Sequence, residues 1–159
     1  MARGIRIKLD DDDVVYHVMN RVNHGEFLLS NPIIKELLYR RLLAIGEIYY
    51  IQLHAIAILD NHWHAIFTMR KPECNLEDVA RRYERRRKVY PSSLPLAINK
   101  IETWHQRFSD LSELMKDFCQ GTAQMLNRIY GTDGHFWQRR FKSVLLERDH
   151  ALLVWPTWS

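Results

Sequence analysis

The stretch from Ile51 to Met69 constrains this chain more than any other. The run Ile51 to Leu59 is almost wholly apolar, Asp60-Asn61 supplies turn chemistry, and His62 to Met69 is apolar again after its first residues. Two such runs joined by a two-residue turn read as a β-hairpin, which commits the fold to an antiparallel sheet. The first arm is apolar enough to predict cover on both of its faces. Side chains alternate along a strand, so His62 and His64 share one face while Trp63 takes the other. Two imidazoles side by side on a rigid strand supply half of a metal site. By spacing alone the favoured reading is two unrelated histidines at the exposed start of a strand, because His pairs are common and a ligand set needs further members.

The remaining elements follow from local signals. Val14 to Asn20 is β-branched and aromatic and predicts a first strand, with Phe27-Leu28-Leu29 as a short apolar continuation after the Asn23-His24-Gly25 turn. Ser30-Asn31-Pro32 opens a helix, Ile33, Ile34, Leu37, Leu38, Leu42 and Ile45 give it an apolar stripe, and Gly46 is its expected stop. Asn75 caps a second helix that ends before Pro91, and Tyr90 to Trp104, with Pro91 and Pro95, reads as a linker or excursion. A long helix capped at Ser109 or Asp110 carries Leu111, Met115, Phe118, Met125 and Ile129 and closes at Gly131. Phe136 to Leu146 reads as a last strand. Strand, helix, strand, strand, helix, strand is the order of an α+β, ferredoxin-like (split βαβ) fold, an antiparallel sheet with helices on one face.

Length and composition narrow the class. A chain of 159 residues fits one domain with a core of its own. Cys74 and Cys119 stand alone, which argues against a disulfide framework or a thiolate zinc cluster and makes the reduced cytoplasm the expected location. No apolar leader and no run long enough to span a bilayer occur, so no membrane partner is expected.

A formal charge of +4 permits a nucleic-acid partner without demanding one. The distribution says more than the total. Arg81, Arg82, Arg85, Arg86, Arg87 and Lys88 crowd the second helix and form either a solvated face or a phosphate-contacting arm, for which Arg85 and Arg86 are the named candidates. At the entry to the last strand, Trp137, Arg139, Arg140 and Lys142 interleave an aromatic with cations. Aromatics that stack bases beside cations that meet phosphates suit single-stranded nucleic acid.

Taken together, three segments resemble the REP-associated branch of the HUH single-tyrosine transposases. They are Tyr16-His17-Val18-Met19-Asn20-Arg21, Asn61-His62-Trp63-His64, and Gly134 to Ser143 with its Trp-x-x-Arg-Phe-Lys-Ser strand. The resemblance runs from about Tyr16 to Leu153. It implies a divalent metal, magnesium or manganese, held by His62 and His64. The metal polarises a scissile phosphate while a tyrosine attacks to give a 5′-phosphotyrosine. It also implies single-stranded, hairpin-flanked DNA as substrate. Family members occur as monomers and dimers, so a homodimer is among the expected states.

The chain departs from that family at its end. The family places its nucleophile in a Tyr-(Val/Ile)-x-x-Asn-Pro helix after the last strand. Here Asp149 to Val154 resembles the start of that helix, but Trp155-Pro156-Thr157-Trp158-Ser159 follows, with neither tyrosine nor asparagine. Shifting the frame back by one nucleotide allows Met-Ala-Tyr-Val-Glu-Leu, so a frameshift near codon 154 is the expected origin of the tail, with an unrelated short tail as the alternative. No other tyrosine is expected to take over, so no catalytic residue is assigned. This chain is expected to be a non-catalytic single-stranded DNA binder, or the product of a decayed frame, rather than an active strand transferase.

Overall fold

A computed structural model of the chain describes residues 14–146. The expectations placed on residues 1–13 and on the tail from 147 onward lie outside that range.

Four strands form one antiparallel sheet: β1 (Val14–Arg21), β2 (Ile51–Ile58), β3 (His62–Met69) and β4 (Lys142–Leu146), in the order β2-β3-β1-β4. That is the split βαβ order expected from the sequence. The first crossover is α1 (Pro32–Gly46). The second holds three helices: α2 (Leu76–Val89), α3 (Ile101–Phe108) and α4 (Leu111–Tyr130). None of them is long and apolar enough to cross a membrane.

Caps set most of the helix boundaries. The Asn31 carboxamide accepts from the Ile33 amide with Pro32 in the first turn, Asn75 accepts from Asp78, and Asp110 accepts from Ser112 and Glu113. Gly131 ends α4 in the left-handed conformation at φ 64°, which costs a glycine little. Gly46 does not end α1 this way; the following Glu47 stays right-handed. Arg82 does the work instead. Its guanidinium donates to the carbonyls of Glu47, Ile48 and Tyr49 at 3.4, 3.3 and 3.0 Å, and Arg85 donates again to the Glu47 carbonyl.

Register divides the sheet into two faces. Tyr16 lies opposite Phe67, Val18 opposite Ala65 and Asn20 opposite Trp63, and this set packs beneath the helices. Trp63 and Phe67 are almost fully buried there with Leu38, Leu42, Phe108, Leu114, Met115 and Phe118. Each large side chain removed from water in this way contributes about 2–3 kcal/mol before entropic costs. His17, Met19 and Arg21 of β1 point the other way, with His62, His64, Ile66 and Thr68 of β3.

Four local expectations change. β2 is an edge strand with no fully buried residue and a bulge at His54, so the doubly covered arm of the hairpin is β3 rather than the more apolar β2. The end of the expected linker is helical: a 3-10 turn at Ile98–Lys100 leads into α3, which begins at Ile101 and buries Phe108. Phe27 to Leu29 forms a turn, with Phe27 exposed and Leu29 buried. The last strand is interrupted. Gln138 donates to the Arg21 carbonyl and Asn23 to the Phe136 carbonyl, the ladder breaks, and pairing with β1 resumes at Lys142.

Candidate metal and nucleic-acid site

The histidine face is built by β1 and β3. His62 and His64 lie side by side, their ring centroids 5.0 Å apart and their planes at 80°. Each is held by one ring nitrogen. The Asn61 side-chain NH2 donates to the Gly25 carbonyl, which turns its Oδ1 toward His62 Nδ1 at 2.7 Å. An amide oxygen only accepts, so His62 Nδ1 carries the proton and Nε2 is left as a lone pair. His64 Nδ1 lies 3.0 Å from His17 Nε2, while its own Nε2 is buried with no hydrogen-bond partner.

Burial depresses the basicity of all three rings. His64 falls to about 4, through burial first and then the neighbouring His17, His62 and Arg21. His62 is lowered by burial and by Arg21, and His17 by burial. At neutral pH these are uncharged imidazoles, the form that ligates metals. The residues therefore fit as two nitrogen ligands. Among the described residues no group of three or more His, Cys, Asp or Glu is placed to complete a site.

Cations flank the pair. Arg21 is the register partner of His62, and Met19 lies between His64 and Lys142. Arg139 and Arg140 fall in the break of the last strand, where Arg139 adopts φ 34°. Pairing on both sides of the break turns this short segment out of the ladder, as a bulge does. Arg21, Arg139, Arg140 and Lys142 are all exposed and line a groove of about 940 Å³. None of the four has a carboxylate within 4 Å among the described residues.

Of the other residues singled out from the sequence, Trp137 lines the same groove from within the core, while Arg85 and Arg86 lie on α2. Trp137 is only 6% exposed, packs against Phe136 at 5.1 Å, and donates its indole N–H to Thr122 Oγ1 at 3.0 Å. Its placement is that of a core residue at the groove floor. Arg86 is withdrawn too: its Nε lies 3.7 Å from the Asp117 carboxylate, and its guanidinium stacks on Tyr90 and Trp104. Arg85 is paired with Glu47 at 3.0 Å.

The tyrosines are accounted for. Tyr16 faces the helices, away from the histidines. Tyr49 donates to Asp117 at 2.5 Å, Tyr83 to the Leu94 carbonyl, Tyr90 to the Asp117 carbonyl and Tyr130 to the Leu28 carbonyl. Tyr39 is on α1, and Tyr50 precedes β2 with Arg82 over its ring at 4.2 Å.

The residues of the site not singled out from the sequence are His17, Arg21 and, beyond its place in the turn, Asn61. The signal for the first two was available in the alternation of β1, which places His17, Met19 and Arg21 on one face. Which strand that face would meet was not.

Among the solved structures similar to this chain, two share its fold. A REP-associated tyrosine transposase bound to a REP hairpin superposes with a TM-score of 0.54 at 15% identity, over 97% of this chain and 68% of that one. A protein of Deinococcus radiodurans R1 assigned as a transposase superposes with a TM-score of 0.51 at 10% identity, over 98% of this chain and 92% of that one. No protein-family model and no curated protein matches the sequence. At these identities the likeness is one of fold, and the fold is that of transposases.

Proposed function

We propose that this is a transposase-family protein. Its histidine face binds a divalent metal, magnesium or manganese, and its cationic groove binds single-stranded DNA beside a hairpin. The observation that carries the reading is the pairing of His62 and His64 as neutral, side-by-side imidazoles whose register partners, Arg21 and Met19, line the groove that also holds Arg139, Arg140 and Lys142. The hairpin-bound transposase of the same fold supports the choice of ligand.

When bound, the metal would supply Lewis-acid polarisation of a phosphate oxygen. The chain's own residues orient what lies beside it. His62 and His64 contribute two nitrogens, leaving the other coordination positions to water and phosphate oxygens. The four cations of the groove neutralise successive phosphates and so fix the path of the strand without reading its sequence. Among the described residues no tyrosine hydroxyl accompanies the histidines on their face. The activity proposed for this chain is therefore binding without covalent strand transfer.

The test uses a labelled hairpin with a single-stranded flank, in manganese. Salt-sensitive retention of the oligonucleotide and loss of manganese binding in His62→Ala/His64→Ala are expected, with no adduct surviving denaturation. A denaturation-resistant protein–DNA adduct would overturn the non-catalytic reading. Retention indifferent to salt would overturn the groove as the binding surface.

A further inference from the structure

We propose that His17 is a positioning residue: its Nε2 accepts a hydrogen bond from His64 Nδ1–H, so that His64 keeps a bare Nε2 on the face it shares with His62. The inference rests on the reading of the histidine face as a divalent-metal site.

His17 and His64 lie diagonally across the β1–β3 ladder, since His17 is the partner of Ile66 and His64 that of Met19. Their rings are stacked at 5.2 Å with planes 22° apart, and the Nε2 to Nδ1 distance is 3.0 Å. Only one proton fits between the two nitrogens. If His17 donated it, His64 would carry its own proton on Nε2, and a buried N–H would face no acceptor. If His64 donates, only an unprotonated nitrogen is left without a partner. A buried lone donor is the costlier outcome, so the second arrangement is favoured. A lone pair is also what a metal takes up.

With its Nε2 accepting from His64, the neutral His17 ring carries its proton on Nδ1, so neither nitrogen is left to act as a third ligand. That agrees with the absence of any three-residue ligand group among the described residues. The two histidines are then fixed by different means. Asn61, the next residue along the same segment, sets His62. A residue of the neighbouring strand sets His64, so the matched orientation of the pair depends on the β1–β3 register.

Imidazole tautomers can be read in the metal-free full chain from long-range nitrogen–proton NMR correlations near neutral pH. The expected result is His64 protonated on Nδ1. In His17→Phe the ring should move toward the Nε2–H form that free histidine favours, and Mn2+ affinity should fall roughly 10- to 100-fold. His17→Gln, whose side-chain oxygen accepts a hydrogen bond, should recover much of both. Wild-type His64 protonated on Nε2 would overturn the proposal, as would a folded His17→Phe that keeps both tautomer and affinity. If His17→Phe does not fold, the wild-type tautomer and the His17→Gln affinity still decide. A wild-type protein with His64 protonated on Nδ1 and no Mn2+ binding would support the positioning role while overturning the metal reading.

Discussion

Two segments of this chain are crowded with cations, and the fold uses them in opposite ways. In α2 the guanidinium groups point inward or sideways into fixed partners. Arg82 closes the end of α1 and pairs with Asp78, Arg85 pairs with Glu47, Arg87 with Glu84, and Arg86 is packed onto Asp117. In the break before β4, Arg139 and Arg140 are turned out with Lys142 and have no such partners among the described residues. The first segment has more positive residues, but the second offers more positive charge to a ligand. Local density of arginine therefore measures nothing until the carboxylates and carbonyls around it are known.

The sharpest way to break that contrast is to remove a cation from each segment. Arg86→Ala leaves Asp117 buried without its counter-ion, held by the Tyr49 hydroxyl, and should destabilise the fold by about 3–5 kcal/mol in denaturant unfolding. A change within 0.5 kcal/mol would show that Arg86 is not structural.

Acid should make the histidine face cationic as well, at a cost in stability. The folded histidines, His64 at about 4, titrate below the ordinary 6.5, so the unfolded chain binds more protons between those values. Their contribution is complete above pH 6.5 and is lost as pH falls toward 4, by at most roughly 3 kcal/mol for His64 and less once solvent screening is counted. Denaturant midpoints measured across that window should fall with pH beyond the loss seen in His64→Asn.

Replacing Arg139, Arg140 and Lys142 together by Gln should leave stability within about 0.5 kcal/mol and reduce the log–log salt slope of single-strand binding by about 2. Equal loss of stability and binding would erase the distinction between the two segments. The smallest expected effect is that of Trp137→Phe. Loss of the hydrogen bond to Thr122 should cost about 1 kcal/mol in unfolding experiments, with oligonucleotide affinity unchanged. A selective loss of affinity would return Trp137 to the role of base-stacking residue.

What was legible in the sequence is what short-range chemistry determines. Asn31, Asp110 and Gly131 mark helix ends through contacts within a few residues, and alternation alone places His62 and His64 on one face. Whether a strand is central or at an edge is settled elsewhere in the chain. β2 is the more apolar arm of the hairpin, yet β1 pairs with β3 and leaves β2 outermost. The helix α3 was hidden because the prolines before it suggested irregular backbone, while its apolar residues Ile101, Trp104 and Phe108 straddle the expected boundary at Trp104. The roles of Arg86 and His17 depend on Asp117 and His64, 31 and 47 residues away, which no window of the sequence joins.

The interruption before β4 also bears on how this fold tolerates change. Within a paired strand, inserting or deleting one residue turns every following side chain to the opposite face. On the two sides of this break, register is held separately: by Trp137 against Val22 and Thr122, and by Lys142 to Leu146 against β1. The residues between can lengthen, shorten or exchange without moving the histidines. A lineage could in this way re-aim the exposed cations of this segment while leaving the rest of the sheet untouched.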